Sequence, residues 1–207
     1  ATENLMIAAC LAKGQTVLSN CAIEPEIKDL SNFLCSIGAK IVWTGRRQVK
    51  IIGIKTFKQS NYKIMFDRIE AGTMLVAAAV NQGNLKLTGI ETDILKTEIN
   101  VLKKIGAKII QKKNEIIIQG NKKIKNINIK TSPYPGFPTD LQSQLMVLLC
   151  KANKKSTIKE DIFANRFQSV SELKRMDAKI EVKGNQAIIE GNTIFKGAQV
   201  MATDLRA

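Results

Sequence analysis

Ile27, Leu30, Leu34 and Ile37 recur at three- and four-residue intervals, and so do Leu95, Ile99, Leu102 and Ile105. This spacing places each set on one face of a helix and predicts two amphipathic helices, each packed on a sheet. Three other stretches, residues 5–12, 74–80 and 145–150, are apolar nearly all round. A helix with no polar face is expected to be surrounded by protein. Short β-rich runs fill the intervals: residues 16–21, 40–44 and 48–52, then 85–88, 108–111 and 115–119, then 156–160, 179–183 and 187–190. Each group reads helix, strand, helix, strand, strand.

The order is a repeat. Thr2, Thr73, Thr139 and Thr203 are separated by 71, 66 and 64 residues, and each is predicted to start a helix. Ser36-Ile-Gly-Ala-Lys-Ile41, Lys104-Ile-Gly-Ala-Lys-Ile109 and Arg175-Met-Asp-Ala-Lys-Ile180 each lead to strands that close at Gly53, Gly120 and Gly191. A period of this size means copies of one supersecondary unit. Pro25 suits a first helical turn, where its missing N–H does no harm. Gly38 and Asp177 suit a left-handed residue at a helix end. The expected architecture is α/β, with apolar helices packed together inside and sheets outside. Every copy also brings a hydroxyl or carboxylate to a helix N-terminus, where free N–H groups attract anions. The partial fourth copy at residues 203–207 points to an internal segment of a longer protein, since so short a helix is not stable alone.

Composition narrows the chemistry. Histidine is absent, which removes Ser-His and Cys-His nucleophilic pairs and the usual zinc sites. Cys10, Cys21, Cys35 and Cys150 lack metal-ligand spacing and fit buried, reduced thiols of a cytoplasmic protein. No apolar run is long enough to cross a membrane. The formal charge of +14 is a feature of polyanion binders. The lysines are scattered, however, and aromatics, at 5%, do not interleave with them as in a single-strand stacking platform. A generally basic surface is expected, with an RNA-binding module as the rival reading.

Several strings go beyond the repeat: Ala1-Thr-Glu-Asn-Leu-Met6, Glu24-Pro-Glu-Ile27, Asp67-Arg-Ile-Glu70 with Gly72-Thr73, Phe137-Pro-Thr-Asp-Leu-Gln142, Asn165-Arg-Phe167, and Gly197-Ala-Gln-Val-Met-Ala-Thr-Asp-Leu-Arg206. In this order the chain resembles the UDP-N-acetylglucosamine enolpyruvyl transferases over essentially its whole length. The resemblance implies an inside-out α/β barrel of enolpyruvyl transferase type, built from βαβαββ-like units, with substrates bound between two domains. Residues 1–64 would be the last unit of one domain. Residues 65–207 would be two units and the start of a third of the other, with a crossing near residues 55–63. It further implies two small-molecule substrates, phosphoenolpyruvate and UDP-N-acetylglucosamine, no cofactor or metal, and no nucleic-acid or membrane partner. The family's cysteine loop and its N-terminal lysine lie outside these residues, in the remainder of the longer chain. Phe66, Gln168 and Asp177 stand where the family commonly has proline, histidine and glycine. The shikimate-pathway enolpyruvyl transferases are an alternative within the fold, but lack the nucleotide-site strings.

Residue by residue, the resemblance aims Asp140 at the attacking sugar hydroxyl as hydrogen-bond acceptor and general base. Alone, Asp140 would be a carboxylate stabilised by a helix N-terminus. Ile162 would meet the nucleotide through its backbone and Phe163 by apolar packing; both otherwise fit the end of a core strand. Arg166 suits a clamp for phosphate or carboxylate, which a guanidinium binds with two parallel hydrogen bonds. Asp204 and Arg206, otherwise a local surface pair, would sit at the cleft near the phosphate-bearing substrate. Glu24 and Glu26 fit a helix N-terminus on composition, and the resemblance adds a second reading, lining of the cleft.

Overall fold

The computed structural model describes residues 1–202. It falls into two compact units, Ala1–Met65 and Phe66–Ala207. The first runs α1 (Thr2–Leu11), β1 (Gln15–Ser19), α2 (Pro25–Ser36), β2 (Lys40–Gly45) and β3 (Gln48–Ile52). The second begins α3 (Arg68–Val80), β4 (Asn84–Thr88), α4 (Lys96–Ile105), β5 (Lys108–Lys112) and β6 (Glu115–Gln119). It continues β7 (Asn128–Lys130), α5 (Gln142–Cys150), β8 (Ser156–Lys159), α6 (Ser169–Arg175), β9 (Ile180–Lys183) and β10 (Gln186–Ile189).

The repeat is structural. In each copy the last strand lies between the other two: β1-β3-β2, β4-β6-β5 and β8-β10-β9. All these pairs are antiparallel, and β7 adds to the third sheet in parallel with β8. The full βαβαββ order therefore appears in the third copy. The three sheets are separate and open; among the described residues they do not close into a barrel. Strand alternation sends Val49 and Ile51, Ile116 and Ile118, and Ala187 and Ile189 inward. The amphipathic helices behave as their spacing requires, Ile27 and Leu34 being buried in α2 and Ile99, Leu102 and Ile105 in α4, with Leu95 buried in the turn before it.

Gly53, Gly120 and Gly191 explain why the unit ends on glycine. A Cβ at these positions would stand 1.6 Å from the Ala12 oxygen, 2.7 Å from the Gln82 Cα and 2.4 Å from the Ala152 oxygen. The chain leaving each last strand passes the end of the same unit's first helix, and only hydrogen fits there. Asp177 takes the left-handed conformation, at φ +71°, that Gly38 and Gly106 take in the other copies.

Three expectations change. None of Thr2, Thr73 and Thr139 caps a helix through its side chain, although Thr2 and Thr139 do stand first in their helical segments. Thr2 Oγ1 accepts from the Ala22 amide, Thr73 lies inside α3 and meets Gln144, and Thr139 Oγ1 donates to Glu160, while Thr203 lies outside the described residues. Helix α3 starts at Arg68, capped by the Asp67 carboxylate, which accepts from the amides of Ile69 and Glu70. Helix α1 is not enclosed by the first unit, where Leu5, Ile7 and Leu11 stay exposed. The second unit does have the interior helical core. Helices α3 and α5 pack on each other there, and Gly72 approaches Leu141 so closely that a Cβ would lie 2.5 Å from Leu141 Cδ1.

Candidate functional site

The second unit gathers four of the singled-out residues in one place. Pro138 ends an extended segment, and residues Thr139–Leu141 form a 3-10 turn that leads into α5. This turn carries Asp140. Strand β8 ends at Lys159, and the chain then loops outward through Ile162, Phe163 and Arg166 before α6. The Arg166 Nη2 donates to Asp140 Oδ1 at 2.8 Å, joining turn to loop. The Arg166 side chain is 12% exposed and that of Asp140 37%, so the guanidinium is held while the carboxylate keeps a face toward solvent. Phe163 is exposed, and its ring lies 5.7 Å beneath the Arg166 Cζ, close enough for a cation–π contact.

The loop is fixed at both ends. Asn185 Nδ2 and Lys130 Nζ both reach the Asp161 carboxylate, and the bond from Lys130 is what chiefly holds that carboxyl below the ordinary carboxylate range. At the far end Ser169 Oγ bonds Ser143 Oγ of α5 at 3.2 Å. Just before the loop Glu160 turns inward and is 3% exposed. Its carboxylate accepts from Thr139 Oγ1 at 2.8 Å and from the Ile162 and Phe163 amides at 2.8 and 3.2 Å. The Ile162 N–H is thereby occupied within the protein. A cavity of about 740 Å³ adjoins the loop, walled by Phe163, Arg166, Phe167, Val170, Lys174 and Asn185.

Glu24 and Glu26 belong to the first unit. Glu24 precedes α2 without capping it by its side chain, and its Oε2 is buried with no hydrogen-bond partner among the described residues. Glu26 lies in the first turn of α2. Asp204 and Arg206 lie outside the described residues. Glu160 is the residue that sequence reasoning passed over. Its signal was weak, a lone carboxylate at a strand end, and its partner Thr139 is 21 residues away.

Such an arrangement offers a half-exposed carboxylate as proton acceptor beside a fixed cation, at the mouth of an open loop. The EPSP synthase (3-phosphoshikimate 1-carboxyvinyltransferase) family model matches residues 1–207. The chain belongs to this family. A protein of Pelagibacter ubique (strain HTCC1062) named UDP-N-acetylglucosamine 1-carboxyvinyltransferase is 69% identical over 207 residues, which are all of this chain and 50% of that protein. The protein of the same name from Geotalea uraniireducens (strain Rf4) is 48% identical over 206 residues, again 100% of this chain and 49% of its relative. The chain thus spans about half the length of the curated relatives it matches. Among solved structures, the enolpyruvyl transferase NikO from Streptomyces tendae aligns with a TM-score of 0.79 at 21% identity, covering 88% of this chain and 44% of that one. EPSP synthase from Acinetobacter baumannii aligns with a TM-score of 0.68 at 18% identity, over 94% of this chain and 48% of that one. At these identities the two structures establish the fold, which is the mixed α/β arrangement of enolpyruvyl transferases.

Proposed function

We propose that the full-length protein containing this chain is a cytoplasmic transferase that moves the enolpyruvyl group of phosphoenolpyruvate to the 3-hydroxyl of UDP-N-acetylglucosamine. This would be the first committed step of peptidoglycan synthesis. A C–O bond forms between the sugar oxygen and C2 of the enolpyruvyl group, the bond from C2 to the phosphate oxygen breaks, and phosphate leaves. Asp140 accepts the hydroxyl proton as general base. Arg166 steadies developing negative charge and holds Asp140 in place. Ile162 accepts a hydrogen bond from the sugar nucleotide through its carbonyl, and Phe163 packs beside it. Asp204 and Arg206 serve the phosphate-bearing substrate, and Glu24 and Glu26 line the cleft from the other domain. Residues 1–64 are the last unit of that domain, and 65–207 two units and the start of a third of the other.

The observation that carries this reading is the Asp140–Arg166 pair, set on a Phe-Pro-Thr-Asp turn and facing the Ile162–Phe163 loop. The names of the relatives at 69% and 48% identity favour UDP-N-acetylglucosamine over a shikimate substrate. The full-length protein should release phosphate from phosphoenolpyruvate only when UDP-N-acetylglucosamine is present. The 207-residue chain alone should release none, because an unclosed cleft does not exclude water or complete the site. RNA binding with a steep salt dependence, and no sugar-nucleotide binding, would favour the basic-module alternative.

A further inference from the structure

We propose that Glu160 is a positioning residue of this site: one buried carboxylate clamps the turn bearing Asp140 to the loop bearing Ile162, Phe163 and Arg166. The inference rests on the enolpyruvyl-transfer reading for the reaction it serves, and on geometry for the clamp itself. Asp140 sits in a one-turn 3-10 segment, and its side chain is 37% exposed, so packing does little to fix its direction. What fixes the turn is the residue before it. Thr139 donates its hydroxyl to Glu160 Oε2 at 2.8 Å. The other oxygen of the same carboxylate takes two successive amides of the loop, Ile162 and Phe163. The Asp140–Arg166 bond closes the far side, so turn and loop are joined at two points by unlike contacts.

The charge state of the clamp matters. Burying a carboxylate is costly unless its lone pairs are satisfied. Here all three donors are neutral, and none offers the Coulombic compensation of a cation. A carboxylate does what an uncharged residue does not: both oxygens accept, and each bond is strengthened by the charge. A glutamine has a single acceptor oxygen, and its amide can bond Thr139 only by reversing the direction of that bond. The backbone of Glu160 is itself held, its N–H donating to the Asn185 carbonyl at 2.8 Å. The clamp is therefore anchored in the third sheet, behind the site. A shift of the order of 1 Å in a catalytic group costs about 10²-fold in rate, so loss of this anchor should be read in turnover before binding.

The test uses the full-length protein with Thr139→Val, Thr139→Ser, Glu160→Gln and the Thr139→Val/Glu160→Gln double variant. Thr139→Val keeps the side-chain shape and removes one bond to Glu160. It should lower kcat about 10- to 100-fold, with KM for UDP-N-acetylglucosamine within about threefold, and should lower the melting temperature by several degrees, because one oxygen of a buried carboxylate loses its donor. Thr139→Ser restores the hydroxyl and should restore kcat to within about threefold. The double variant should be no slower than Glu160→Gln alone, because both changes break the same contact. Normal kcat in Thr139→Val, beside an active wild type, would overturn the role of Glu160 alone. So would a fall in kcat and melting temperature together that Thr139→Ser does not rescue. A folded wild type that turns over neither substrate would overturn the enolpyruvyl reading, and this role with it.

Discussion

Asn4-Leu-Met-Ile-Ala-Ala-Cys10 in α1 and Gln144-Leu-Met-Val-Leu-Leu-Cys150 in α5 are close to the same string, and they have different surroundings. Met6 and Met146 are both fully buried, as are Cys10 and Cys150. Leu5 is 53% exposed, whereas Leu145 is 0% exposed. Each helix lays one face on the sheet of its own copy. The difference is on the other face: α5 has α3 against it, while α1 has nothing from a sister copy in its own unit. An apolar helix of this repeat is thus half satisfied by its own unit and needs a second copy for the rest. The interior helical core is a property of assembled units, and the second unit, with two copies, already has one.

That difference can be broken or sharpened by experiment. The largest effect is expected from Leu145→Ala, which empties space in the core of the second unit and should destabilise that unit by about 2–5 kcal/mol in urea titrations. Leu5→Ala in the 207-residue chain should change stability by less than about 0.5 kcal/mol, as surface substitutions do. In the full-length protein, where a sister helix is expected beside α1, the cost of Leu5→Ala should rise toward that of Leu145→Ala. Equal costs for the two substitutions in the 207-residue chain would remove the contrast.

A smaller effect comes from the sister thiols. Burial pushes the Cys10 thiol up, with Cys35 adding to it, and burial pushes Cys150 up from 9.0 to about 11 against an opposing bond to Thr193. The folded state holds the Cys150 proton more tightly than the unfolded chain does. Stability should therefore decline as pH rises from about 9.0, where the unfolded thiol ionises, to about 11, where the folded one does. Urea midpoints at pH 8 and 10.5 should separate further in the wild type than in Cys150→Ala. An unchanged pH dependence in the variant would show that this thiol does not contribute.

The order of elements was legible because periods of 3.6 and 2 are local, and the repeat supplied each pattern in more than one copy. What escaped the sequence was set by contacts across the chain. The recurring threonines suggested helix starts, and Thr2 and Thr139 do stand first in their segments, yet Asp67 caps α3 six residues before Thr73, and the hydroxyls of Thr2, Thr73 and Thr139 serve tertiary bonds. Strand β7 has only three residues and pairs with β8 in parallel, so no hairpin or turn announces it. Asp140 and Arg166 stood out through the strings that contain them, but their bond at 2.8 Å did not, because 26 residues separate them. Glu160 carried no string and showed itself only through its three donors.

The central claim is that Asp140 takes a proton in enolpyruvyl transfer, and Asp140→Asn in the full-length protein tests it most directly. Asparagine keeps the shape and still accepts a hydrogen bond, but neither takes the proton nor offsets developing positive charge. Steady-state kinetics should show turnover lower by about 10²–10⁴-fold, as for loss of a general base. Calorimetric titration with UDP-N-acetylglucosamine should show binding weakened by no more than about 1.5–3 kcal/mol, the range for one hydrogen bond to a charged group. Turnover within a few-fold of wild type would make Asp140 only a carboxylate at the start of a helix, and would contradict the account.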